Sequence, residues 1–339
     1  PMLLAGSHLE SQNYAGWLDG ALGMVYALEA ATVASTMPQL SGKGVDVIAC
    51  ADEEGHFGSL LGSRSFIGEI SEADIDSAAN RTTGVPLRNA LREVGLEGRP
   101  RRTIDPERYL GFLEAHIEQG DWLESGDLDI GIVTSIVSIA TYRLRFEGVQ
   151  NHAGTTRMAI RKDAGVAARR FLHNLEEAFA HHAGPRTVWT VGRMELHPGA
   201  TSVIPGRADV WFQFRDGDPD KLEELHALLV ALAEEANQAE PCKVELETLS
   251  RSVPAAMDEV VQAALERAAE AVTPGRHVRM PSGAGHDAQV LARRIPAGML
   301  FVPSIGGISH HPDENTSAEH IALGAHVYAR AAIDLLAGV

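Results

Sequence analysis

The sequence predicts an α/β fold, a sheet with helices on both faces, carrying an inserted ferredoxin-like α+β segment. Three observations lead there. Short apolar runs alternate with helical patterns over the first part of the chain, as they do where helices cover a sheet on both sides. After about Ser138 the runs become polar–apolar alternations, the mark of half-exposed strands. Toward the end the first texture returns.

Met2–Ser7 reads as a strand already under way at the first residue, and Ala21–Ala34, alanines mixed with large apolar residues, reads as a helix. VDVIAC at Val45–Cys50 is a buried-strand run, bounded by Gly42 and Gly44 before it and by acids after it. Asp74–Asp105 blurs into short helices and loops punctuated by Pro86 and Pro100, and Glu107–Ile117 reads as a return to helical periodicity. Ala140–Gly148 (ATYRLRFEG) alternates as a half-exposed strand does, Ala164–Ala180 is helical, and Thr187–Glu195 and Ala208–Phe214 alternate again. Lys221–Gln238 is a strong amphipathic helix, and Lys243–Leu249 alternates once more. That order, β-α-β-β-α-β, is the ferredoxin-like arrangement. The helix Asp258–Ala271 and the strand Ala297–Val302 then resume the first domain. The expected division is 1–138 and 253–339 for one domain and 139–252 for the insertion, with no repeat, low-complexity tract or long linker.

A chain of 339 residues is long for one ordinary core. Its 45% apolar and 22% charged residues exclude a disordered or fibrous chain. Lys+Arg is 29 against Asp+Glu 46, a formal charge of −17, which argues against nucleic acid as a partner because such binding rests on cationic neutralisation. Cys50 and Cys242 cannot make a disulfide scaffold, so nothing demands an oxidising compartment. No apolar run approaches the ~20 residues that span a bilayer, and no basic segment followed by an apolar stretch is visible. No membrane partner and a cytoplasmic location are expected.

The residues that carry chemistry are His8, Asp19, Glu53, Glu54, His116 and His310, each at the end of a strand-like run or in a Gly-rich turn. An open α/β sheet exposes its functional groups at such places. Imidazoles and carboxylates of this number suit two divalent cations sharing one aspartate, with Zn, Mn or Co as candidates. Adjacent acids on a tight turn can divide the labour, one binding metal while its neighbour faces a metal-bound water as general base.

Six segments then occur in order: GSHLESQNYAGWLDGALG (Gly6–Gly23), ADEEGHFG (Ala51–Gly58), EAHIEQGDWLE (Glu114–Glu124), NHAGTTRM (Asn151–Met158), SGAGHDA (Ser282–Ala288) and GISHHPDENT (Gly307–Thr316). Together they resemble the amidase branch of the M20 metallopeptidase-like hydrolases, which includes N-carbamoyl-L-amino-acid hydrolases, allantoate amidohydrolases and β-ureidopropionases. The resemblance runs over essentially the whole chain. It implies a zinc-hydrolase catalytic domain with a mixed sheet, an insertion that acts as lid and dimerisation domain, a homodimer, and two divalent metal ions per subunit. His8, Asp19 and His116 would hold one metal, with Asp19 bridging to a second completed by Glu54 and His310. Glu53 matches the general base, and His152 matches a lid histidine that stabilises the oxyanion in the partner's site. Gln119 and Arg215 match substrate-binding positions, Arg215 suiting a bidentate clamp on a carboxylate.

Three departures accompany the match. Glu10 stands where the family has Asp, a residue that orients a metal ligand. Ser202 stands at a substrate-facing Asn. Several dozen residues that family members carry ahead of the first ligand strand are not in this sequence. The implied substrate is a small anionic ureido or N-acyl acid, cleaved by water with Glu53 as base. A peptidase or N-acyl-amino-acid hydrolase on the same metals is the alternative within the enzymes, and a catalytically silent metal-binding dimer is the rival outside them. Among the other signals, His286-Asp287 reads as structural or substrate-adjacent, His56 as a substrate contact, and His311 as a bystander. His181-His182 read as solvated or capping, Cys50 as core, and Thr155-Thr156 as the cap of the following helix and the residues that position the His152 turn.

Overall fold

The computed structural model describes residues 1–239 and 241–338. The first unit opens with strand β1 (Met2–His8), helix α1 (Ala21–Ser35) and strand β2 (Gly44–Cys50). Short helices α2 (Leu61–Phe66), α3 (Glu72–Ser77) and α4 (Leu87–Glu93) follow, then β3 (Tyr109–Ile117), α5 (Trp122–Ser125) and β4 (Ile130–Ile136). The second unit holds β5 (Ser138–Glu147), β6 (Asn151–His152), α6 (Ala164–His182), β7 (Val188–His197), β8 (Val203–Ile204), β9 (Arg207–Asp216), α7 (Pro219–Ala239) and β10 (Lys243–Arg251). The chain then completes the first unit with β11 (Ala255–Ala256), α8 (Glu259–Val272), β12 (His277–Ser282), α9 (Asp287–Leu291), β13 (Ala297–Val302) and α10 (Ala318–Ala337). The two compact units are Pro1–Ile136 with Ala255–Val339, and Val137–Pro254.

A mixed seven-stranded sheet organises the first unit. β2, β1, β3 and β13 lie side by side and parallel, β4 meets β13 antiparallel, and β12 runs parallel along β4. Alternate residues of each strand serve two different cores. Leu3, Ala5, Leu113, Ala115, Ile117, Leu300 and Val302 pack with residues of α1, α8 and α10, whereas Leu4, Phe112, Met299 and Phe301 pack with Leu60, Leu123 and Leu291 on the opposite face. Helices cover both faces, as the alternation of strand and helix patterns leads one to expect.

Glu107–Ile117 is a correction: it is not helical. After a single 3-10 turn at Pro106–Arg108 it becomes β3, buried from Gly111 to Ile117 between β1 and β13. A strand covered on both faces loses its polar–apolar alternation, so its period no longer separates it from a helix. The same loss hid β4, whereas α10 was passed over although its buried Gly324, Val327, Tyr328, Ala331 and Ala332 recur at helical spacing.

The second unit carries a four-stranded antiparallel sheet in the order β10-β5-β9-β7. Ala140, Tyr142, Leu144, Phe146, Val210, Phe212 and Phe214 face a core shared with Phe171, Leu175 and Phe179 of α6 and Leu222, Leu225 and Leu229 of α7. The intervening residues of β5 and β9 are only partly covered, which is why their alternation was legible. α6 is capped by Asp163, whose carboxylate accepts from the Gly165 and Val166 N–H groups. The cap is therefore not Thr155-Thr156. Thr156 does hold the His152 turn, its hydroxyl donating to the His152 carbonyl at 2.7 Å.

Candidate active site

β1, β2, β3 and β13 are parallel, so their C-terminal ends lie along one edge of the sheet. His8 is the last residue of β1, His116 the penultimate residue of β3, and the turn after β2 carries Glu53 and Glu54. His310 sits in the loop after β13. The turn after β2 is built by Asp52, itself left-handed at φ 62°. Its buried carboxylate accepts from the His56, Phe57 and Gly58 N–H groups at 2.6, 3.0 and 2.8 Å. Gly20, at φ 72°, has no room for a side chain, because a Cβ there would lie 2.5 Å from the His8 ring.

Asp19 is the hub. Its Oδ1 lies 3.3 Å from His8 Nε2 and 2.9 Å from His116 Nε2, and its Oδ2 lies 3.2 Å from His310 Nε2. Glu54 Oε1 is 3.5 Å from His310 Nε2. Two donor groups result, His8–Asp19–His116 and Asp19–Glu54–His310, the donor atoms of each within 4.8 Å of one another. The first is buried and the second partly open. The Nδ1 of His8 lies 2.8 Å from the Glu10 carbonyl and that of His116 lies 2.9 Å from the Ile117 carbonyl. An N–H donated at Nδ1 leaves the Nε2 lone pair for a metal.

Charge in the pocket is unbalanced toward acid. Burial opposes ionisation of Asp19, but the imidazoles around it, His116 first, hold its carboxyl well below the usual range. Burial likewise opposes protonation of His8, yet Asp19 and Glu53 push it up to about 11. Burial raises Glu53 to about 9, with His8 pulling the other way. Glu53 Oε2 faces His8 Nε2 at 3.9 Å. Such a set of oxygen and nitrogen donors accommodates divalent cations, whose charge would offset the clustered carboxylates.

Gln119, another left-handed residue at φ 62°, aims its amide Nε2 at Asp19 Oδ2 and Ser309 Oγ, at 3.1 and 3.0 Å. Glu10 turns its carboxylate to the backbone of the acid pair, accepting from the Glu53 and Glu54 N–H groups. The sequence reading missed Gln12, whose Nε2 donates to Glu54 Oε2 at 2.6 Å while its Oε1 accepts from Arg81 at 2.7 Å. Only its place two residues after Glu10 in the ligand loop could have flagged it. It missed Glu114 too, a buried carboxylate accepting from Ser7 Oγ and the Ala288 N–H at 2.7 and 2.8 Å, which ties the ends of β1, β3 and α9. His286 is buried, edge-on to His116 at 4.6 Å and 2.8 Å from Ser282 Oγ, and so packs against a side chain of the site. His56 bonds the Ser11 carbonyl.

The remaining sequence candidates lie in the second unit. His152 and Ser202 meet on the small β6–β8 ribbon, where the Ala153 N–H donates to the Ser202 carbonyl at 2.9 Å. His152 Nδ1 accepts from the Gly154 and Thr155 N–H groups at 3.0 and 3.2 Å, so its proton resides on Nε2. Arg215 lies on β9, its Nε donating to Gln213 Oε1 at 3.0 Å, and it lines a shallow cleft with Val188, Trp189, Thr190 and Gln213. Burial lowers its pKa from the ordinary guanidinium value.

The sequence pattern of the peptidase family M20/M25/M40 matches residues 10–334. The chain belongs to that family. Similarity within the M20 group extends over nearly the whole chain. The allantoate amidohydrolase of Bacillus subtilis is 35% identical over 338 residues, covering 99% of this chain and 80% of that protein. The N-carbamoyl-L-amino acid amidohydrolase of Geobacillus stearothermophilus is 33% identical over 331 residues, covering 96% and 80%. A crystal structure of an amidase of the hydantoinase/carbamoylase family from Burkholderia phymatum superposes with a TM-score of 0.90 at 46% identity, covering 100% of this chain and 82% of that one. The M20 chain thus shares its mixed α/β architecture with solved amidases. No helix among its described residues is long and apolar enough to cross a membrane.

Proposed function

We propose that this M20 chain is a metal-dependent amidohydrolase that cleaves the ureido C–N bond of an N-carbamoyl-L-amino acid or an allantoate-like ureido acid. One observation carries the reading: Asp19 presents each of its oxygens to a different donor group, with Glu53 beside them. The nearly full-length likeness to carbamoyl-amino-acid and allantoate amidohydrolases supplies the substrate class. Two divalent cations, of Zn, Mn or Co, held by His8, Asp19 and His116 and by Asp19, Glu54 and His310, would lower the pKa of water and polarise the scissile carbonyl.

The chain's own groups do the rest. Glu53 takes the proton of the attacking water and returns it to the departing nitrogen. His152, protonated on Nε2, donates to the developing oxyanion from the partner subunit's insertion. Arg215 grips the substrate carboxylate with Gln119 at the same far end, and Ser202 faces the substrate, which turns binding into orientation. Residues Val137–Pro254 serve as lid and dimerisation domain in this scheme. An N-carbamoyl amino acid would yield the amino acid, ammonia and carbon dioxide.

The test is hydrolysis of a panel of substrates after chelation and after addition of Mn, Co or Zn, read as ammonia release from N-carbamoyl amino acids and allantoate and as free amino acid from N-acyl amino acids. Metal-dependent release from the ureido acids supports the reading. Turnover of N-acyl amino acids alone would move the enzyme to the peptidase side of the family, and no turnover of any of them would overturn the assignment.

A further inference from the structure

Glu314 lies outside both donor groups, and no role in the reaction above uses it. Its carboxylate is buried, the residue being 1% exposed, and it accepts four hydrogen bonds, two from its own loop and two from the distant Leu18–Asp19 segment. Oε1 takes the Leu18 and Asp19 N–H groups, both at 3.2 Å. Oε2 takes the Ser309 hydroxyl at 3.0 Å and the His310 N–H at 3.3 Å. The Glu314 carbonyl accepts from Trp17 Nε1 at 2.7 Å, adding a further tie to the same loop. One buried anion thus joins the backbone of the shared ligand Asp19 to that of His310.

His310 needs such a tie. It is left-handed at φ 53°, a conformation that costs a non-glycine residue energy and persists only where its surroundings enforce it. Its side chain is half exposed, so packing does not enforce it. The bond from its own N–H to Glu314 acts at the strained residue. His8 and His116, by contrast, sit on strand ends, are almost fully buried, and have their Nδ1 atoms against backbone carbonyls. The two donor groups therefore differ in what holds them.

We infer that Glu314 is a positioning residue that sets the geometry of the Asp19–Glu54–His310 cation position, by binding the Asp19 loop and the His310 loop to one carboxylate. The inference rests on the two-cation reading above. Without Glu314, His310 relaxes toward ordinary backbone angles and its imidazole leaves Asp19 and Glu54, while the His8–Asp19–His116 position keeps its own supports.

The test is calorimetric titration of the metal-free full-length protein and its Glu314→Gln variant with Zn2+, read with the cation content after dialysis and the thermal unfolding of the metal-free forms. The amide keeps the shape, and its NH2 group belongs on the side of Ser309, whose hydroxyl can turn to accept from it, so the Asp19 loop keeps its acceptor and the His310 N–H loses its own. The parent should bind two Zn2+ per chain. Glu314→Gln should keep one near parental affinity and weaken the other roughly 10- to 100-fold, the usual consequence of losing a partner that orients a metal ligand. A merely structural Glu314 would lower the unfolding temperature and weaken both cations together, and that result, or two unchanged cations, overturns the inference. A parent that binds no Zn2+ overturns the two-cation reading itself and the inference with it. Should Glu314→Gln not fold, Ser309→Ala removes one donor to the same oxygen. It should weaken the same cation alone, and unchanged binding in that variant would equally overturn the inference.

Discussion

Glu53 and Glu54 are neighbours in sequence with different surroundings. Glu54 Oε2 is held by Gln12 and its Oε1 faces His310, whereas Glu53 faces His8 and is driven toward its protonated form mainly by burial. A carboxyl that must gain and lose a proton is served by the second environment, and a fixed ligand by the first. Glu53→Gln should therefore keep the bound metal, measured by elemental analysis, and lower kcat roughly 10²- to 10⁴-fold. In the proposed reaction Arg215 has a different part, the grip on the substrate carboxylate. Losing a charge-assisted pair of about 1.5–3 kcal/mol predicts that Arg215→Ala raises KM for anionic substrates roughly tenfold or more, with a smaller change in kcat. A fall in kcat at constant KM would remove it from carboxylate binding.

Two features of the elements decide whether those side chains meet. α1 packs on the sheet at Gly23, where a Cβ would lie 2.2 Å from the Ala115 carbonyl oxygen and 2.9 Å from Ser7 Cβ. Ser7 and Ala115 adjoin His8 and His116 of the candidate site. Gly23→Ala should cost about 1–3 kcal/mol, as overpacking does, seen as a lower denaturant midpoint. The second feature is Asp129, just before β4. It accepts from Thr273 at the end of α8 and from Arg276 at 2.9 Å, and lies 3.3 Å from His320 Nε2 in the first turn of α10. The hydrogen bond from Arg276 holds its carboxyl below the ordinary value. A depressed pKa stabilises the fold above the unfolded-state pKa, and the benefit disappears as pH falls through the folded one. Asp129→Asn should thus unfold at lower temperature than the parent at pH 7, with the gap closing as pH drops below about 4.

At the scale of the whole molecule, the net charge of −17 disfavours the approach of an anionic substrate such as the one proposed. A cation-loaded site and Arg215 are the local exceptions that the proposed chemistry needs. The assembly follows from the same proposal. If His152 enters the partner's site, a His152→Ala chain mixed with a Glu53→Gln chain forms hybrid dimers with one complete site each. Full exchange in an equal mixture should restore about a quarter of parental activity. No recovery in a mixture shown by mass spectrometry to exchange subunits would mean that His152 works within its own chain.

The strands that alternate, such as β5 and β9, and the helices with one apolar face, such as α6 and α7, were legible in the chain because each has one side against a core and one against water. His8, Asp19, the Glu53–Glu54 pair, His116 and His310 were singled out by their places after strand-like runs or in Gly-rich turns and by the motif segments that contain them, not by residue type alone. β3 was not legible: covered on both faces, it carries no period that separates strand from helix. Nor was Glu314, an ordinary acid in the run PDEN until the fold brings it under Leu18 and Asp19, nearly 300 positions earlier. Residue type is local, whereas the partner of a buried carboxylate is set by which distant backbone N–H groups the sheet carries to it.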